Sequence, residues 1–345
     1  SSMANQPVAS IVLPYRNSAR TLVRCLTSIL KQTLKNWELI AVNDYSKDHS
    51  LQVLESFQKI DNRIKSFNSP GKGIVEALNF GISSANSEII IRMDSDDEMQ
   101  PDRIKEQVDF LNTNSSVGLI SSKVLHKAEN TQAFTGKGYS LYVDWINQIL
   151  SQKEIQLHRF EESPFAHPSV TYRRTLIHKY GAYKEGNFPE DYELWLRWLS
   201  NGVKMEKLKS NLLTWYDSPQ RLSRIGTCYS EDAFQQVKAA YLSKWLNEQN
   251  LLKKKISGWG LGKVAKKQIK HLQSQHINFS RFYEVDPAKV GNVYQGSPIL
   301  SFNQISLDQE EFILVLTGSR GAKEKIHKFL SGKSLSLGTD YLFIS

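Results

Sequence analysis

The chain has 345 residues, enough for about two domains at ~150 residues each. Hydrophobic residues make up 40% and charged residues 23%, which excludes a collagen-like, low-complexity or disordered chain. Lys and Arg total 44 against 35 Asp and Glu, and the net charge of +9 admits nucleic acid, an anionic membrane surface or a phosphorylated substrate without choosing among them. The two cysteines, Cys25 and Cys228, cannot build a disulfide framework or a four-thiolate zinc site. No apolar run approaches the ~18 residues of a membrane helix, and the N-terminus lacks a signal-peptide pattern. A cytoplasmic location is expected.

Residues 8–13 read as a buried strand stopping at Pro14. A helix follows from about Ser18, with Leu22, Cys25, Leu26, Ile29 and Leu30 at helical spacing. Residues 37–42 form a second strand, and Asp48 is placed to cap a helix over 50–60. A short strand at 64–67, a helix at 74–84 and a strand at 89–93 complete a β-α-β-α-β-α-β run. Its strands are continuously apolar rather than alternating, which predicts a parallel sheet covered by helices on both faces. A helix near 229–248 is expected to pack Phe234, Val237, Tyr241 and Trp245 along one side. A second β/α pattern restarts at 255–257, and the predicted division is 3–250 and 251–345.

In a parallel α/β sheet ligands bind outside the carboxyl ends of the strands. Asp44 ends the second strand, Asp94 and Asp96 end the fourth, and Glu190 and Asp191 open the aromatic helix 192–199. Carboxylates converging on one cleft repel each other unless a divalent cation binds there. Asp94-Ser95-Asp96 supplies hard oxygen ligands suited to Mg²⁺ or Mn²⁺, which usually keep substrate phosphate oxygens among their other ligands. The loop therefore suggests a nucleotide-diphosphate substrate. Each piece alone has an ordinary alternative in a helix cap, an Asx-turn or a solvated turn.

Seven segments in order sharpen this reading: Ser10-Ile-Val-Leu-Pro-Tyr-Arg-Asn17, Ser28-Ile-Leu-Lys-Gln-Thr33, Val42-Asn-Asp-Tyr-Ser-Lys-Asp48, Ala77-Leu-Asn-Phe-Gly-Ile82, Met93-Asp-Ser-Asp-Asp97, Ala166-His-Pro-Ser-Val170 and Glu190-Asp-Tyr-Glu-Leu-Trp-Leu-Arg197. Over residues 8–225 the chain resembles the family 2 glycosyltransferases of the GT-A fold. The resemblance implies a metal-dependent, inverting transfer of a sugar from a nucleotide-diphospho-sugar, a UDP-sugar first of all, to an acceptor hydroxyl. It makes Asp191 the catalytic base, assisted by Glu190. It makes Asp96 the main ligand of a Mn²⁺ or Mg²⁺ ion, and Asp94 a contact to ribose or metal. It gives Asp44 the nucleotide base, with Pro14, Tyr15, Arg16 and Asn17 around it and Ser95 at the donor. Two departures stand out: Arg16 replaces a common aromatic, and Asn43 replaces the first carboxylate of a common pair. His167 is a further active-site candidate, and Lys72, Arg221 and Arg224 are candidates for the diphosphate, since guanidinium matches phosphate oxygens.

Residues 256–263, with glycines at 258, 260 and 262, follow a strand and open a helix in the manner of a dinucleotide fingerprint. A small Rossmann-like second domain is expected. The two-part layout is similar to the β-1,3-N-acetylglucosaminyltransferase-like group, whose animal members are associated with galactosylation of queuosine in tRNA. Four readings stand in competition. They are a hexosyl- or N-acetylhexosaminyl-transferase of polysaccharide or glycolipid synthesis, a transferase acting on a tRNA nucleoside, a non-catalytic nucleic-acid-binding protein, and a nicotinamide-dependent oxidoreductase. Residues 249–283 contain no Asp or Glu but hold Lys253, Lys254, Lys255, Lys263, Lys266, Lys267, Lys270 and Arg281. That stretch carries +8, so the rest of the chain is close to neutral at +1. It is a solvated face or a contact for a polyanionic acceptor.

Overall fold

A computed structural model describes residues 6–128, 137–217 and 227–345. The chain forms two compact units, residues 1–155 with 164–229 and residues 156–163 with 230–345.

The first unit begins with the expected alternation: β1 (Ala9–Tyr15), α1 (Ala19–Leu30), β2 (Trp37–Asn43), α2 (Ser50–Ile60), β3 (Ile64–Asn68), α3 (Ile74–Ser84) and β4 (Ile89–Arg92). These strands run parallel in the order β3-β2-β1-β4. Strands β1, β2 and β4 are buried along their whole length, as continuous apolar runs require. β1 does not stop at Pro14 but continues to Tyr15. Its pairing with β4 ends at Val12, while its pairing with β2 continues, with Pro14 opposite Val42. One side of the strand is then open, which tolerates a residue with no N–H. On the sheet face, Gly81 lets α3 approach closely: a Cβ there would stand 2.6 Å from Val12 Cγ1.

The sheet is extended by β5 (Glu98–Met99), β6 (Val117–Ala128), β7 (Thr171–Arg173) and β8 (Lys204–Asp217), giving the order β3-β2-β1-β4-β7-β6-β8-β5. Between them lie α4 (Arg103–Thr113), α5 (Lys137–Ile146), α6 (Gln152–His158), α7 (Thr175–Tyr180) and α8 (Glu190–Ser200). Tyr192, Trp195 and Trp198 of α8 are fully buried, so these aromatics are core. Leu13, Leu22, Leu26, Leu39, Ile91 and Leu213 belong to one hydrophobic cluster that backs the sheet.

The second unit contains α9 (Glu231–Glu248), β9 (Lys255–Trp259), α10 (Lys263–Ser274), β10 (Phe279–Glu284), β11 (Val293–Tyr294), β12 (Ser297–Ser301), β13 (Glu311–Val315), α11 (Arg320–Gly332) and β14 (Tyr341–Phe343). Its sheet order is β11-β12-β10-β9-β13-β14, parallel except for β11. The five parallel strands follow the doubly wound order, turning at β9. The compact units divide at residues 229/230, not near 250, because α9 packs with the second unit. Lys238 of α9 is buried, and its ammonium donates to the carbonyls of Glu161 (3.0 Å) and Ile344 (2.7 Å). Those carbonyls satisfy a charge that water would otherwise solvate. The buried side of α9 accordingly includes Lys238, Leu242 and Leu246, while Phe234, Tyr241 and Trp245 are half-buried.

Candidate active site

The loops leaving β1, β2 and β4 meet at one edge of the first sheet. Pro14 and Tyr15 are buried in β1, and Arg16 and Asn17 are exposed just beyond it. Asn17 has φ +47°, a left-handed conformation that asparagine tolerates. Its Oδ1 accepts from the Lys47 N–H at 2.7 Å, and its own N–H donates to Ser46 Oγ at 3.1 Å. The Asp48 carboxylate takes N–H bonds from Ser50 (3.0 Å) and Ala19 (3.1 Å), so it joins the first turns of α1 and α2. Ser18 Oγ and Ser95 Oγ lie 2.7 Å apart and tie the β1 exit to the acidic loop after β4. Asp44 is buried, and its Oδ1 accepts from the Gly73 N–H at 3.0 Å. Gly73 sits at φ +103°, where a Cβ is strained. Lys72 is exposed, with its ammonium 5.6 Å from the Tyr45 ring centroid.

Carboxylate oxygens of Asp94, Asp96 and Asp97 lie within 4.8 Å of one another. Three hard oxygen donors this close repel unless a cation or hydrogen bonds compensate, so the set fits a small divalent ion. Asp97 was not among the sequence candidates. It is fully buried, and its Oδ1 accepts from the Tyr216 N–H at 2.9 Å. Its link to β8 joins residues 119 positions apart, which no local pattern reveals. Arg24 braces the loop, donating to the Asp96 carbonyl at 2.8 Å with its guanidinium 3.5 Å from the Tyr216 ring centroid.

Behind the acidic loop sits Arg92, the last residue of β4, with no exposed surface. It donates to Asp94 Oδ1 at 2.8 Å, to the carbonyls of Val12 and Met93 at 2.8 Å each, and through Nε to His167 Nε2 at 3.1 Å. Every guanidinium N–H donates, so His167 Nε2 is the acceptor and the ring proton belongs on Nδ1. That nitrogen faces Glu190 Oε1 at 3.9 Å. The Tyr183 hydroxyl lies 2.7 Å from the same Nε2. Burial, then the Arg92 charge, holds His167 well below its ordinary pKa, so the ring is neutral.

Glu190 and Asp191 open α8, where a helix N-terminus favours negative charge. Glu190 accepts from the Tyr229 hydroxyl. Burial, then the Asp191 charge, pushes Glu190 up to about 8. Asp191 is raised to about 6, chiefly by loss of water around its carboxyl, while the Tyr192 N–H donates to its Oδ1 at 2.8 Å and opposes the shift. The Asp94 charge raises Asp191 further and the Arg92 charge lowers it. Hydrogen bonds therefore run from Asp94 through Arg92 to His167, whose Nδ1 faces Glu190 at the start of α8 from 3.9 Å. A sequence signal for Arg92 existed: it is the one charged residue closing an apolar strand, Ile89-Ile-Ile-Arg92. Tyr183 and Tyr229 gave no such signal. Arg221 and Arg224 lie outside the described residues.

In the second unit the glycine-rich turn after β9 closes on its own residues. Gly260 has φ +105°, and a Cβ there would stand 2.4 Å from Thr317 Oγ1. The Leu261 N–H donates to Glu284 Oε2 at 3.1 Å, and Lys289 donates to the Leu261 carbonyl at 3.1 Å.

Residues 10–181 match the profile described as Glycosyl transferase family 2. The UDP-Gal:alpha-D-GlcNAc-diphosphoundecaprenol beta-1,3-galactosyltransferase of Escherichia coli is 31% identical over 229 residues, covering 66% of this chain and 78% of that protein. The bifunctional glycosyltransferase pgtA of Dictyostelium discoideum is 31% identical over 247 residues, 61% of this chain, but the match spans only 32% of pgtA. The amylovoran biosynthesis glycosyltransferase AmsE of Erwinia amylovora is 27% identical over 207 residues, 59% of this chain and 73% of AmsE. Among solved structures, S. aureus TarS 1–349 aligns with a TM-score of 0.50 at 18% identity, over 77% of this chain and 79% of that one, a likeness of fold alone.

Proposed function

We propose that this chain, which belongs to glycosyl transferase family 2, moves a sugar from a UDP-sugar to an acceptor hydroxyl with inversion at the anomeric carbon. It is a glycosyltransferase of the GT-A fold, in polysaccharide or glycoconjugate synthesis. That membership sets aside the oxidoreductase and the non-catalytic readings. The single observation that carries the mechanism is the hydrogen-bonded set Asp94, Arg92 and His167 facing the buried pair Glu190 and Asp191, with Asp96 and Asp97 beside Asp94.

In this reading Asp191 takes the proton of the acceptor hydroxyl as the new bond forms. A carboxylate at about 6 is a stronger base than an ordinary one and is still mostly ionised at neutral pH. Glu190, held protonated by burial beside Asp191, leaves the pair with a single charge on the base. Its bond with Tyr229 and its approach to His167 orient the first turn of α8. His167 acts as a neutral positioning group and Arg92 as the clamp on Asp94. Asp96 and Asp94 are the residues that would hold Mn²⁺ or Mg²⁺, which when bound neutralises charge on the leaving diphosphate. Asp44, with Pro14, Tyr15, Arg16 and Asn17 around it, takes the nucleotide base, while Ser95 and Lys72 serve the donor's ribose and diphosphate.

The E. coli relative names a galactose donor and a sugar linked to a lipid diphosphate as acceptor. We carry that chemistry over as the acceptor class: a hydroxyl on a lipid-diphosphate-linked sugar. Isothermal titration of UDP with and without Mn²⁺ tests the donor half. Asp96→Ala should remove the metal-dependent part of binding, and Asp191→Asn should leave it within about twofold, since the base touches acceptor rather than donor. Donor affinity collapsing in Asp191→Asn would move Asp191 into the donor site and leave the base to another residue.

A further inference from the structure

On α10 the lysines 263, 266, 267 and 270 fall at i, i+3, i+4 and i+7, and all four are exposed. At 3.6 residues per turn they span about 100° of arc and about 10 Å of helix. The buried residues Ala265, Gln268, Ile269 and Leu272 occupy the opposite face. The lysines thus form one outward stripe, not a scatter. Among the described residues none of the four stands in an ion pair, and Lys266 lies 5.2 Å from the Tyr294 ring centroid. No acidic residue occurs between positions 249 and 283, and Asp232 of α9, which reaches this helix, is paired with His271 at 2.7 Å. Val264, beside the stripe, is 46% exposed.

We propose that this lysine face of the second unit docks on an anionic phospholipid bilayer. The proposal rests on the acceptor class above: a lipid-linked sugar is held at a bilayer, and no helix among the described residues is long and apolar enough to cross one. The lysine face supplies a surface that can hold the chain there. α10 itself carries neither arginine nor Phe, Tyr or Trp, and Tyr294 beside Lys266 is packed edge-on against Phe282, so the helix lacks the groups that fork onto phosphates in fixed geometry or stack on bases. Lysine ammoniums on flexible stems suit a fluid layer of headgroups, where each contributes about fivefold in affinity. The exposed Val264 side chain adds an apolar contact at the headgroup boundary.

The test is co-sedimentation of the full chain with phosphatidylcholine vesicles, with and without about 30% phosphatidylglycerol, across a salt series. Wild type should sediment with the anionic vesicles alone, and less so as salt rises. The quadruple variant Lys263→Gln, Lys266→Gln, Lys267→Gln, Lys270→Gln should lose roughly a hundredfold or more of that affinity. Its UDP-sugar hydrolysis without lipid should match wild type, which shows that the exposed substitutions leave the fold intact. Wild type ignoring anionic vesicles, or the variant binding them as well as wild type, overturns the proposal. So does tRNA displacing the vesicles through the same lysines, which makes nucleic acid the partner. Transfer to a water-soluble short-chain sugar diphosphate is measured alongside. Vesicle binding without such transfer refutes the acceptor class and leaves the docking standing.

Discussion

At the scale of single residues, the proposed base and its neighbour, both carboxylates, differ by environment. Asp191 at about 6 and Glu190 at about 8 are both raised by burial, and the charge of Asp191 adds to the shift on Glu190. A base must be deprotonated, so transfer should rise as pH climbs through about 6 and fall away below it; a pH profile of kcat/KM checks this. Glu190→Gln keeps a neutral group of the same shape beside Tyr229. At pH 7 it should cost well under tenfold in kcat, whereas Asp191→Asn should cost about 10²–10⁴-fold. Equal losses would mean that Glu190 acts as an ionised group. Arg92→Lys keeps the charge but cannot reach Asp94, His167 and two carbonyls at once. A weaker response of UDP binding to Mn²⁺ is expected, read by titration. The acidic residues were legible because carboxylates at strand ends are an unusual expense of charge. Arg92 was legible only as an oddity, and Asp97 was not, because its partner Tyr216 lies on a strand far away in sequence.

At the scale of elements, the first four strands and three helices follow from apolar runs and helical spacing, and the structure reproduces them nearly to the residue. The departures have local causes. β1 passes through Pro14 because its neighbour β4 ends early. β8 extends over Lys204–Asp217 although only its end, residues 212–215, reads as a strand. It alternates exposed and covered positions along its first half, so burial arises from pairing with β6 rather than from an apolar run. α9 buries Lys238, a residue hydropathy assigns to solvent. Gly81 is a position where packing overrides propensity. Alanine there gains up to ~1 kcal/mol of helix propensity, but its Cβ meets Val12. Overpacking costs about 1–3 kcal/mol, so Gly81→Ala should lower the melting temperature, while Ser83→Ala on the exposed side of α3 should barely move it.

At the scale of the whole molecule, the charge is divided between the units. The stretch 249–283, with +8 of the net +9, lies in the second unit, and the candidate site residues from Asp44 to Asp191 lie in the first. A chain that is nearly neutral outside this stretch avoids a broad field and concentrates its attraction for anions on one helix and the strand entry before it. Two doubly wound patterns in succession were legible from the apolar runs, but the division at residues 229/230 was not, because the buried side of α9 mixes the polar Gln235 and Lys238 with Val237, Ala239, Leu242 and Leu246, and Lys238 is held by distant carbonyls. The central claim, a metal-dependent UDP-sugar transferase with Asp191 as its base, is tested most directly by UDP release from UDP-galactose in the presence of a GlcNAc-diphosphate-lipid acceptor. The account predicts release by wild type with Mn²⁺, arrest by chelator, and a fall of about 10²–10⁴-fold in Asp191→Asn. Release at the wild-type rate by Asp191→Asn, or release indifferent to the metal, would contradict it.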